Sequence, residues 1–371
     1  MNRSWLFAPV ALLILLFASC GGGQSVGSTP SPSPTPSSTA KPKFLYAANQ
    51  DSASISGFSV DPSTGALTPL AGFPIASGVN PVFLVLDPHD KFLVSVDIAA
   101  NNLRVYAIDS ATGALTEVAP SPYAVGMEPR AAAIDPSGQF LYIASQSLNS
   151  VDAFTMSASG VLNRVPGAPF ATGGTTTTGS FGCCVVIDPG GNFVFVADTA
   201  NVYSFTINHS TGALTPVTVM PAPTGEGLAV DPTGKFLYAV GFANSIQTYA
   251  INSTTGALTL AHLSPTALGG GSFTIALDPT GHFAFTVEAG EILVAYSLQN
   301  GVFSSLGGFS GALGTLQLGI DPSGSFIYAP QTGTDNDLSE FRISATGTLT
   351  PIPGSPTPLG KAPFSVVITS Q

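Results

Sequence analysis

The sequence repeats one phrase at a nearly constant period, and this repeat limits the possible folds more than any other feature. A glycine in a Thr-Gly-Ala-Leu-Thr-like turn marks each copy, and successive glycines are 48, 47, 52, 44, 45 and 46 residues apart. A period in the forties, with about four short strands in each unit, is typical of a β-propeller. The sequence therefore predicts an all-β, seven-bladed β-propeller. The marking glycines are Gly65, Gly113, Gly160, Gly212, Gly256, Gly301 and Gly347.

One copy, residues 231–259, indicates how the phrase would form strands. It opens with an Asp-Pro-Thr-Gly turn, in which proline presets φ and glycine accepts a positive φ. An aromatic and β-branched segment follows, and then a segment that alternates apolar and polar residues, as half-buried strands do. Proline and glycine interrupt every unit, so a helical solenoid of similar period is excluded. The Asp-Pro turn recurs at Asp87, Asp135, Asp188, Asp231, Asp278 and Asp321.

The two ends of the repeat predict how the ring closes. The first copy enters at residues 44–49, which match the strand after the Asp-Pro turn, and the chain ends with residues 362–368, which match the strand before it. The C-terminal strand should therefore be the innermost strand of the first blade. Such closure removes the open sheet edges that would invite aggregation.

Charge excludes one class of partner. The 371-residue chain carries ten Lys and Arg against 21 Asp and Glu, a net charge of −11, and only 8% of its residues are charged. Binding to a phosphate backbone needs clustered cations, so nucleic acid is not expected as a partner. We expect a monomer whose only link to a membrane is a lipid anchor.

The N-terminal region predicts that anchor. Residues 1–19 combine a basic start, Asn2-Arg3, with an apolar stretch too short to span a bilayer, and small residues precede Cys20. This pattern resembles a bacterial lipobox, with Cys20 as the lipidated residue; the alternative is an ordinary signal peptide with an incidental cysteine. Residues 20–43 are a Gly/Ser/Thr/Pro tether, and residues 44–371 are the propeller. The expected location is exported and lipid-anchored, on the outer-membrane, periplasmic or surface side.

The strands before the Asp-Pro turns should line the central channel. Ligands of propellers usually sit at one mouth of that channel, on the loops that enter these strands. The loops to examine are those near Asn80 and Glu128 and within 175–181, 224–227, 269–273, 313–316 and 360–361.

The repeat phrase also carries a family resemblance. Phe44-Leu45-Tyr46-Ala47-Ala48-Asn49, the Thr-Gly-Ala-Leu-Thr-Pro turns and Gly354-Ser355-Pro356 resemble the seven-bladed lactonase family, relatives of 6-phosphogluconolactonase and of the fungal muconate-lactonizing enzyme. They also resemble YVTN-type surface propellers. The resemblance covers roughly residues 41–371 and implies lactone hydrolysis at the channel mouth.

The resemblance further implies catalytic positions. Lactonase-like members tend to have Pro-Arg-His at the start of an inner strand and a Glu about fifteen residues later. Here Pro129-Arg130 matches the first two positions, while Ala131 stands in place of His and Gln146 in place of Glu. The set is incomplete in every repeat.

Candidate acids accompany Arg130. Lactone hydrolysis needs a group that activates water and a donor for the oxyanion. Arg130 is the candidate for the carbonyl or anionic group, with Glu128 or Glu288 assisting water and Glu226 as a further carboxylate that would have to converge with it. The alternative is that Arg130 pairs with Glu128 or a neighbouring carboxylate as a structural contact at the rim.

No cofactor or metal is predicted. The four histidines are scattered at His89, His209, His262 and His282, and their spacing matches no metal motif. Cys183-Cys184 are expected to be small buried residues, with a vicinal disulfide as the alternative. The Asp-Pro aspartates fit turn chemistry better than a calcium loop. Asp335 and Asp337 lie two residues apart in what is expected to be a polar surface turn.

Two functions remain open from the sequence. The first is a lactonase-type hydrolase of a sugar lactone or similar small ester. The second is a non-catalytic propeller that binds a glycan, a peptide or a partner protein at the cell envelope. A hydrolase needs polar groups converging at the mouth, whereas a binding module could have a broad, neutral mouth.

Overall fold

The computed structural model describes residues 42–145, 149–173, 184–198, 200–222, 225–241, 245–267, 271–288, 292–310, 317–332 and 335–370. These residues form strands β1 to β32 and no helix. Accordingly, this part of the chain offers no helical segment with the length and apolarity needed to cross a bilayer. Cys20, tether residues 21–41, Gln146, the 174–181 loop and Cys183 lie outside the described residues, whereas residues 42 and 43, assigned to the tether from the sequence, belong to β1.

The strands follow one another along the chain in seven groups. The first fourteen strands are β1 (Pro42–Asn49), β2 (Ser54–Val60), β3 (Leu67–Pro69), β4 (Ile75–Ala76), β5 (Pro81–Leu86), β6 (Phe92–Asp97), β7 (Asn102–Ile108), β8 (Leu115–Glu117), β9 (Tyr123–Ala124), β10 (Pro129–Ile134), β11 (Phe140–Ser145), β12 (Ser150–Met156), β13 (Leu162–Arg164) and β14 (Phe170–Ala171). The next are β15 (Cys184–Ile187), β16 (Phe193–Ala197), β17 (Asn201–Ile207), β18 (Leu214–Pro221), β19 (Gly225–Val230), β20 (Phe236–Gly241), β21 (Ser245–Ile251), β22 (Leu258–Pro265), β23 (Ser272–Leu277), β24 (Phe283–Glu288), β25 (Ile292–Gln299) and β26 (Val302–Ser310). The last are β27 (Gly319–Ile320), β28 (Phe326–Gln331), β29 (Asp337–Ile343), β30 (Leu349–Pro351), β31 (Thr357–Pro358) and β32 (Pro363–Ser370).

The strands form seven antiparallel sheets, so the predicted seven-bladed propeller is confirmed. In blades 4, 5 and 6 the outer strand is continuous, and in the other four it is split into two short strands. The C-terminal strand β32 pairs with β1, from Leu45 opposite Ile368 to Asn49 opposite Pro363. Blade 1 therefore has the order β3-β2-β1-β32, and the predicted closure is confirmed.

The blades pack against each other through apolar faces. Every residue of the second strands β6, β11 and β28 is buried, which is why these segments are mostly apolar and do not alternate between apolar and polar residues. Between blades 3 and 4, for example, Tyr142 and Val151 pack with Val194 and Phe205. A single blade could not bury both of its faces, so the ring folds as one unit.

Both kinds of short turn lie at one end of the ring, which we call the turn end. In the Asp-Pro turn of blade 7, the Asp321 carboxylate is fully buried and accepts backbone N–H groups from Ser323 (2.9 Å), Ser325 (2.7 Å) and Phe326 (2.6 Å). The aspartates of the other blades accept equivalent bonds. Their regularity therefore follows from turn chemistry.

The opposite end, which we call the mouth end, carries the loops that lead into the inner strands. Buried polar side chains on the neighbouring strands of the same blade fasten several of these loops by accepting a backbone N–H. We call three of these residues the loop anchors: Asn49 accepts from Gly360 (3.2 Å), Asp152 from Gly126 (2.7 Å) and Glu288 from Ala267 (3.4 Å).

Candidate functional site

A cavity of about 180 Å³ occupies the central channel. Six inner-strand segments contribute to its wall, so it lies on the propeller axis, where the sequence predicted the ligand site. Arg130 and Gln317 are the long polar side chains of the described wall. The remaining lining residues are Phe83, Ala131, Cys184, Val185, Val186, Gly227, Leu228, Thr274, Ile275 and Leu318.

Arg130 reaches this cavity because of an irregularity in its strand. Pro129 lies opposite Ser145 and Ala131 lies opposite Ala144, so Arg130 is an extra residue in the β10–β11 ladder. Bulges of this kind re-aim a side chain and are frequent beside binding sites. Proline starts the strand, where a missing N–H is tolerated. Among the candidate catalytic residues whose side chains the structure describes, the half-buried Arg130 lines the cavity, and Glu128 and Glu288 do not.

The same irregularity recurs in blade 5 at Glu226. Gly225 lies opposite Gly241 and Gly227 opposite Val240, which leaves Glu226 as the extra residue of β19. Its backbone therefore occupies the position that Arg130 occupies in blade 3. The Glu226 side chain lies outside the described part of the structure.

Glu128 lies in the loop just before the arginine strand. It is exposed and has a positive φ of 54°, a conformation that its backbone N–H stabilises by donating to Asn101 Oδ1 at 2.7 Å. Asn80 and Ala362 have the same positive φ in the equivalent loops of other blades. Glu128 thus stands at the mouth, two residues from Arg130, without lining the described cavity wall.

Glu288 occupies a different environment. It is fully buried at the end of β24, where the Tyr296 hydroxyl donates to Oε1 and the Thr286 hydroxyl donates to the same oxygen at 3.3 Å. Burial, followed by the bond to the Glu288 carboxylate, raises the pKa of the Tyr296 phenol, which therefore stays a neutral donor. As a loop anchor, Glu288 also holds Ala267 in the loop before β23. These contacts favour a positioning role for Glu288.

The sequence analysis did not single out Gln317 and Ser365. They occupy equivalent positions on the inner strands of blades 7 and 1, and the buried Ser365 hydroxyl donates to Gln317 Oε1. The same hydroxyl oxygen accepts the Leu84 N–H at 2.9 Å. No local motif marks either residue, because their partners come from other blades.

A buried acidic cluster lies at the mouth end of blade 2. Asp97 is fully buried, and Arg104 bridges it to Glu117, with Nε 3.2 Å from Asp97 Oδ2 and Nη1 2.8 Å from Glu117 Oε1. Burial raises the pKa of the Asp97 carboxyl to about 6, against the lowering effects of Ser95 and Arg104. Gly78 packs against this carboxylate so closely that an added Cβ would lie 1.6 Å from Oδ2.

Apart from Cys184, the remaining chemistry-bearing residues of the described structure do not line the cavity. His89, His209, His262 and His282 are all exposed, and the described residues contain no cluster of three or more His, Cys, Asp or Glu side chains suited to a metal. Cys184 is half-buried and lines the cavity, where a buried position was expected, because its side of β15 faces the channel. The pKa of the half-buried Asp337 is raised by burial and by the nearby Asp335.

Comparison with known proteins identifies the repeat. A family model described as "Lactonase, 7-bladed beta-propeller" matches residues 80–274, which is more than half of the 371-residue chain. This match confirms the family part of the predicted resemblance; the lipoprotein form and the YVTN likeness stay predictions. A comparison with curated protein sequences found no match.

Solved structures share the fold at low identity. A candidate 6-phosphogluconolactonase from Bacteroides uniformis superposes with a TM-score of 0.77 at 18% identity, covering 89% of this chain and 100% of its own. Its counterpart from Bacteroides fragilis gives 0.75 at 20% identity, with 91% and 100% covered. A periplasmic gluconolactonase from Pseudomonas aeruginosa gives 0.72 at 18%, with 88% and 98% covered. At these identities the likeness concerns the fold.

Proposed function

The chain belongs to the lactonase family of seven-bladed β-propellers, and from this premise we propose that it is a cell-envelope hydrolase of a sugar lactone or a similar small ester. The observation that carries the proposal is Arg130, which lines a small cavity on the propeller axis. Fixed donors aimed at a developing oxyanion are commonly the largest single contribution to acyl-transfer catalysis. The names of two fold neighbours, a gluconolactonase and a candidate 6-phosphogluconolactonase, agree with this class of substrate.

In the proposed reaction, water attacks the lactone carbonyl carbon and the ring C–O bond breaks. Arg130 stabilises the oxyanion through charge-assisted hydrogen bonds, and a carboxylate removes the proton from water and returns one to the departing alkoxide. Glu128 and Glu288 are the candidates for that carboxylate. Exposure at the mouth favours Glu128, whereas burial and the bonds to Tyr296 and Ala267 favour Glu288 as a positioning residue.

Initial rates of hydrolysis of sugar and short aliphatic lactones test the proposal. Arg130→Ala should lower turnover by at least ~100-fold, the usual effect of removing one oxyanion donor. Arg342→Ala is the matched control, because Arg342 donates to Ser63 O at 2.5 Å at the turn end. No turnover above the Arg130→Ala protein, for any lactone, would exclude hydrolysis.

A second function has one observation in its favour. Among the described residues that line the cavity, Arg130 is the only ionisable group apart from the Cys184 thiol, and no carboxylate is present. Such a wall suits binding without turnover. If Glu128→Gln and Glu288→Gln leave an otherwise Arg130-dependent ligand affinity unchanged and no hydrolysis is detected, we would assign the protein as a binding propeller for a glycan, peptide or partner protein.

The envelope location forms part of the proposal and rests on residues 1–20. The small residues before Cys20 and the short apolar stretch support lipidation at that thiol. Two or more acyl chains give stable anchoring, whereas one gives only marginal binding. Labelling with a radioactive fatty acid should mark the wild-type protein and leave Cys20→Ser unlabelled; equal labelling of both proteins would place the anchor elsewhere.

A further inference from the structure

The Asp-Pro turns form a ring at the turn end, and this ring is interrupted at blade 1. In blades 3 to 7 the turn glycine packs against the turn proline of the preceding blade, so that an added Cβ at Gly281 would lie 2.9 Å from Pro232 Cδ. Blade 1 has no turn at this place, because its inner strand β32 ends at Ser370 and its second strand β1 begins at Pro42. The repeated packing therefore stops next to the turn of blade 2. The packed glycines are Gly138, Gly191, Gly234, Gly281 and Gly324.

A pocket of about 430 Å³ lies at this interruption, between the ends of β1 and β32 on one side and the two turns of blade 2 on the other. We call it the closure pocket. It shares no residue with the described wall of the central cavity, so it is separate from the candidate lactone site. Its lining includes Lys43, Phe44, Lys91, Ser110 and Ser370.

The closure pocket collects cations in a chain that has few of them. Lys43, Lys91 and His89 line it, although the whole chain has only ten Lys and Arg against 21 Asp and Glu. Its described wall contains one carboxylate, that of Asp90, which accepts the Ser370 backbone N–H at 2.8 Å and the Ser370 hydroxyl at 2.6 Å. With His89 neutral, two lysines and one aspartate leave this wall with an excess of positive charge. The pocket therefore attracts anions, although the chain as a whole has a net charge of −11.

The carboxylates near the two lysines are engaged in the fold. Asp90 occupies the position at which blades 3 to 7 have the turn glycine, and its φ of 55° is positive as theirs are. Its carboxylate binds the end of β32 through both donors of Ser370. Asp109 does not line the pocket, and its Oδ1 accepts the N–H groups of Ala111 and Thr112. The described structure holds no ion pair between either aspartate and a lysine.

Protons of both lysines are available to a ligand. The Lys43 ammonium donates to the Ser110 carbonyl oxygen, and its nitrogen lies 5.3 Å from the centre of the Phe44 ring. These contacts hold the nitrogen in place but use only one of its three protons. The Lys91 side chain is exposed, and among the described residues no hydrogen bond or ion pair engages its ammonium. The pocket therefore has two lysine ammonium groups that can donate to the same anion.

This set of donors suits a phosphate group. A lysine ammonium acts as a compact point charge and is a common phosphate ligand, whereas a planar carboxylate is matched better by the two-pronged guanidinium of arginine. Phe44 and Ile108 add apolar surface on which the carbon part of a phosphate ester can lie. The volume of about 430 Å³ falls within the ~300–1,000 Å³ of small-molecule pockets, so a phosphate fits together with a glycerol-sized ester group.

We propose that the closure pocket binds a phosphate group, with the ammonium groups of Lys43 and Lys91 and the Ser110 hydroxyl as its donors. Two sources share this chemistry: a soluble phosphate monoester and the phosphodiester headgroup of a lipid. The lipidation proposed at Cys20 favours the headgroup, because the tether joins the propeller at this pocket. The inference does not depend on lactone hydrolysis.

Calorimetric titration of the full chain with two soluble probes tests the proposal. Glycerol phosphate is a monoester, and glycerophosphoglycerol is the water-soluble headgroup of phosphatidylglycerol. The wild-type protein should bind at least one of them, with an affinity that falls as the ionic strength rises. Lys91→Ala and Lys43→Ala should each weaken that binding about tenfold, as expected for the loss of one charge-assisted hydrogen bond. Binding that persists unchanged in both variants would overturn the proposal.

Lys235→Ala is the matched control. Lys235 occupies the position of Lys91 in the Asp-Pro turn of blade 5, is exposed and does not line the closure pocket. Its removal takes the same charge from the same end of the ring and should leave the affinity for both probes unchanged. Equal weakening by Lys235→Ala and Lys91→Ala would mean that the probes follow the general charge of the turn end, and that result would overturn the proposal. The midpoint of urea denaturation of Lys91→Ala should equal that of the wild-type protein, which separates lost binding from unfolding.

The relative affinities of the two probes identify the source of the phosphate. At least ~tenfold tighter binding of glycerol phosphate would assign a soluble monoester, and the reverse order would assign a lipid headgroup. Absence of binding of both probes to the wild-type protein would overturn the proposal. Lactone hydrolysis succeeds or fails independently, since Lys91→Ala should leave any lactone turnover unchanged.

Discussion

The turn end and the mouth end of the propeller join the same strands but are built on different principles. At the turn end, each Asp-Pro aspartate accepts N–H groups from residues two to five positions later, so the bonding is local and repeats from blade to blade. At the mouth end, the loop anchors accept N–H groups from residues 21 to 311 positions away and differ in identity. The turn end, whose bonds repeat from blade to blade, stabilises the ring. The mouth end, whose residues differ between blades, can form a binding site.

The two ends also shift the pKa values of their carboxyl groups in opposite directions. In the turn that follows β7, the exposed Asp109 accepts the backbone N–H and the hydroxyl of Thr112 and the N–H of Ala111, and these bonds lower its pKa. At the mouth end, burial raises the pKa of Asp97. Local N–H donors stabilise the charged form, whereas desolvation penalises it. The contrast predicts opposite pH dependences for the two groups.

The largest effect should come from removing a turn-end aspartate. Asp321→Ala leaves the N–H groups of Ser323, Ser325 and Phe326 without their acceptor, and Asp321 is fully buried. We expect the free energy of unfolding to fall by about 3–5 kcal/mol, measured by urea denaturation. Asp321→Asn keeps one acceptor oxygen and should lose clearly less. Equal losses in both variants would mean that charge matters more than the local bonding pattern.

Adding a methyl group at the mouth end should cause the next largest fall in the free energy of unfolding. Gly78→Ala would place its Cβ 1.6 Å from Asp97 Oδ2, and Ser95 and Arg104 hold that carboxylate in place. Overpacking of this kind costs about 2–3 kcal/mol.

A double-mutant cycle separates this clash from a backbone effect. In the Asp97→Ala background the added methyl group at position 78 has room, so Gly78→Ala should cost less than ~1 kcal/mol there. The free energies of unfolding of the four proteins give the coupling. Additive losses would show that the glycine is needed for its backbone conformation and not for the approach to Asp97.

The pH-dependent contribution of Asp97 to the free energy of unfolding should be smaller than the effects of the two substitutions above. Its folded pKa of about 6 lies above the ordinary value of 3.8 for an aspartate, so the folded protein binds the proton more tightly than the unfolded chain. The stabilisation is complete below about pH 4 and is lost as the pH rises through about 6. Ser95, Arg104 and Glu117 are the groups that face the carboxyl, and only Glu117 among them raises its pKa.

Asp97→Asn removes this titration and keeps the side-chain shape. Its free energy of unfolding, relative to that of the wild-type protein, should rise by on the order of 2 kcal/mol between pH 4 and pH 7.5. For Asp109→Asn the same difference in free energy of unfolding should change with pH in the opposite direction, because a lowered pKa gives stabilisation that is lost as the pH falls. A pH-independent difference for Asp97→Asn would mean that Arg104 compensates the burial of the charge.

The contrast between the ends also explains what the sequence could predict. The blade number and the role of Asp321 follow from residues close together in sequence, because turns and strand periodicity are local. The closure by β32 follows from the point in the repeat at which the propeller begins and ends. Arg130 was predicted because Pro129-Arg130 matches the first two positions of the Pro-Arg-His pattern that the family resemblance implies. Gln317 and Ser365 could not be found in this way, since their bond joins blades 7 and 1 across 48 positions. Whether Glu128, Glu288 or Arg130 is catalytic stays a prediction.

The smallest expected effect on the free energy of unfolding comes from the hydrogen bonds that join neighbouring blades at the turn end. Buried tyrosines of three blades donate to the carbonyl of the marking glycine in the next blade: Tyr46 to Gly113, Tyr142 to Gly212 and Tyr328 to Gly65, at 2.7, 3.0 and 2.9 Å. The equivalent carbonyl of blade 6, that of Gly301, instead accepts the hydroxyl of Thr248 from blade 5 at 2.7 Å. The sequence does not reveal this equivalence, because the donor to the equivalent carbonyl is a tyrosine on one strand in some blades and a threonine on a different strand in another.

Tyr328→Phe should lower the free energy of unfolding by about 1 kcal/mol, because it leaves the buried Gly65 carbonyl without its donor while keeping the ring packing. Thr248→Val should cost about as much for the same reason. Tyr238→Phe is the matched control in blade 5, since the Gly301 carbonyl keeps Thr248, and it should cost less than ~0.5 kcal/mol. If Tyr238→Phe costs as much as Tyr328→Phe, the loss does not come from the bond to the glycine carbonyl. That bond would then not be what joins neighbouring blades at the turn end.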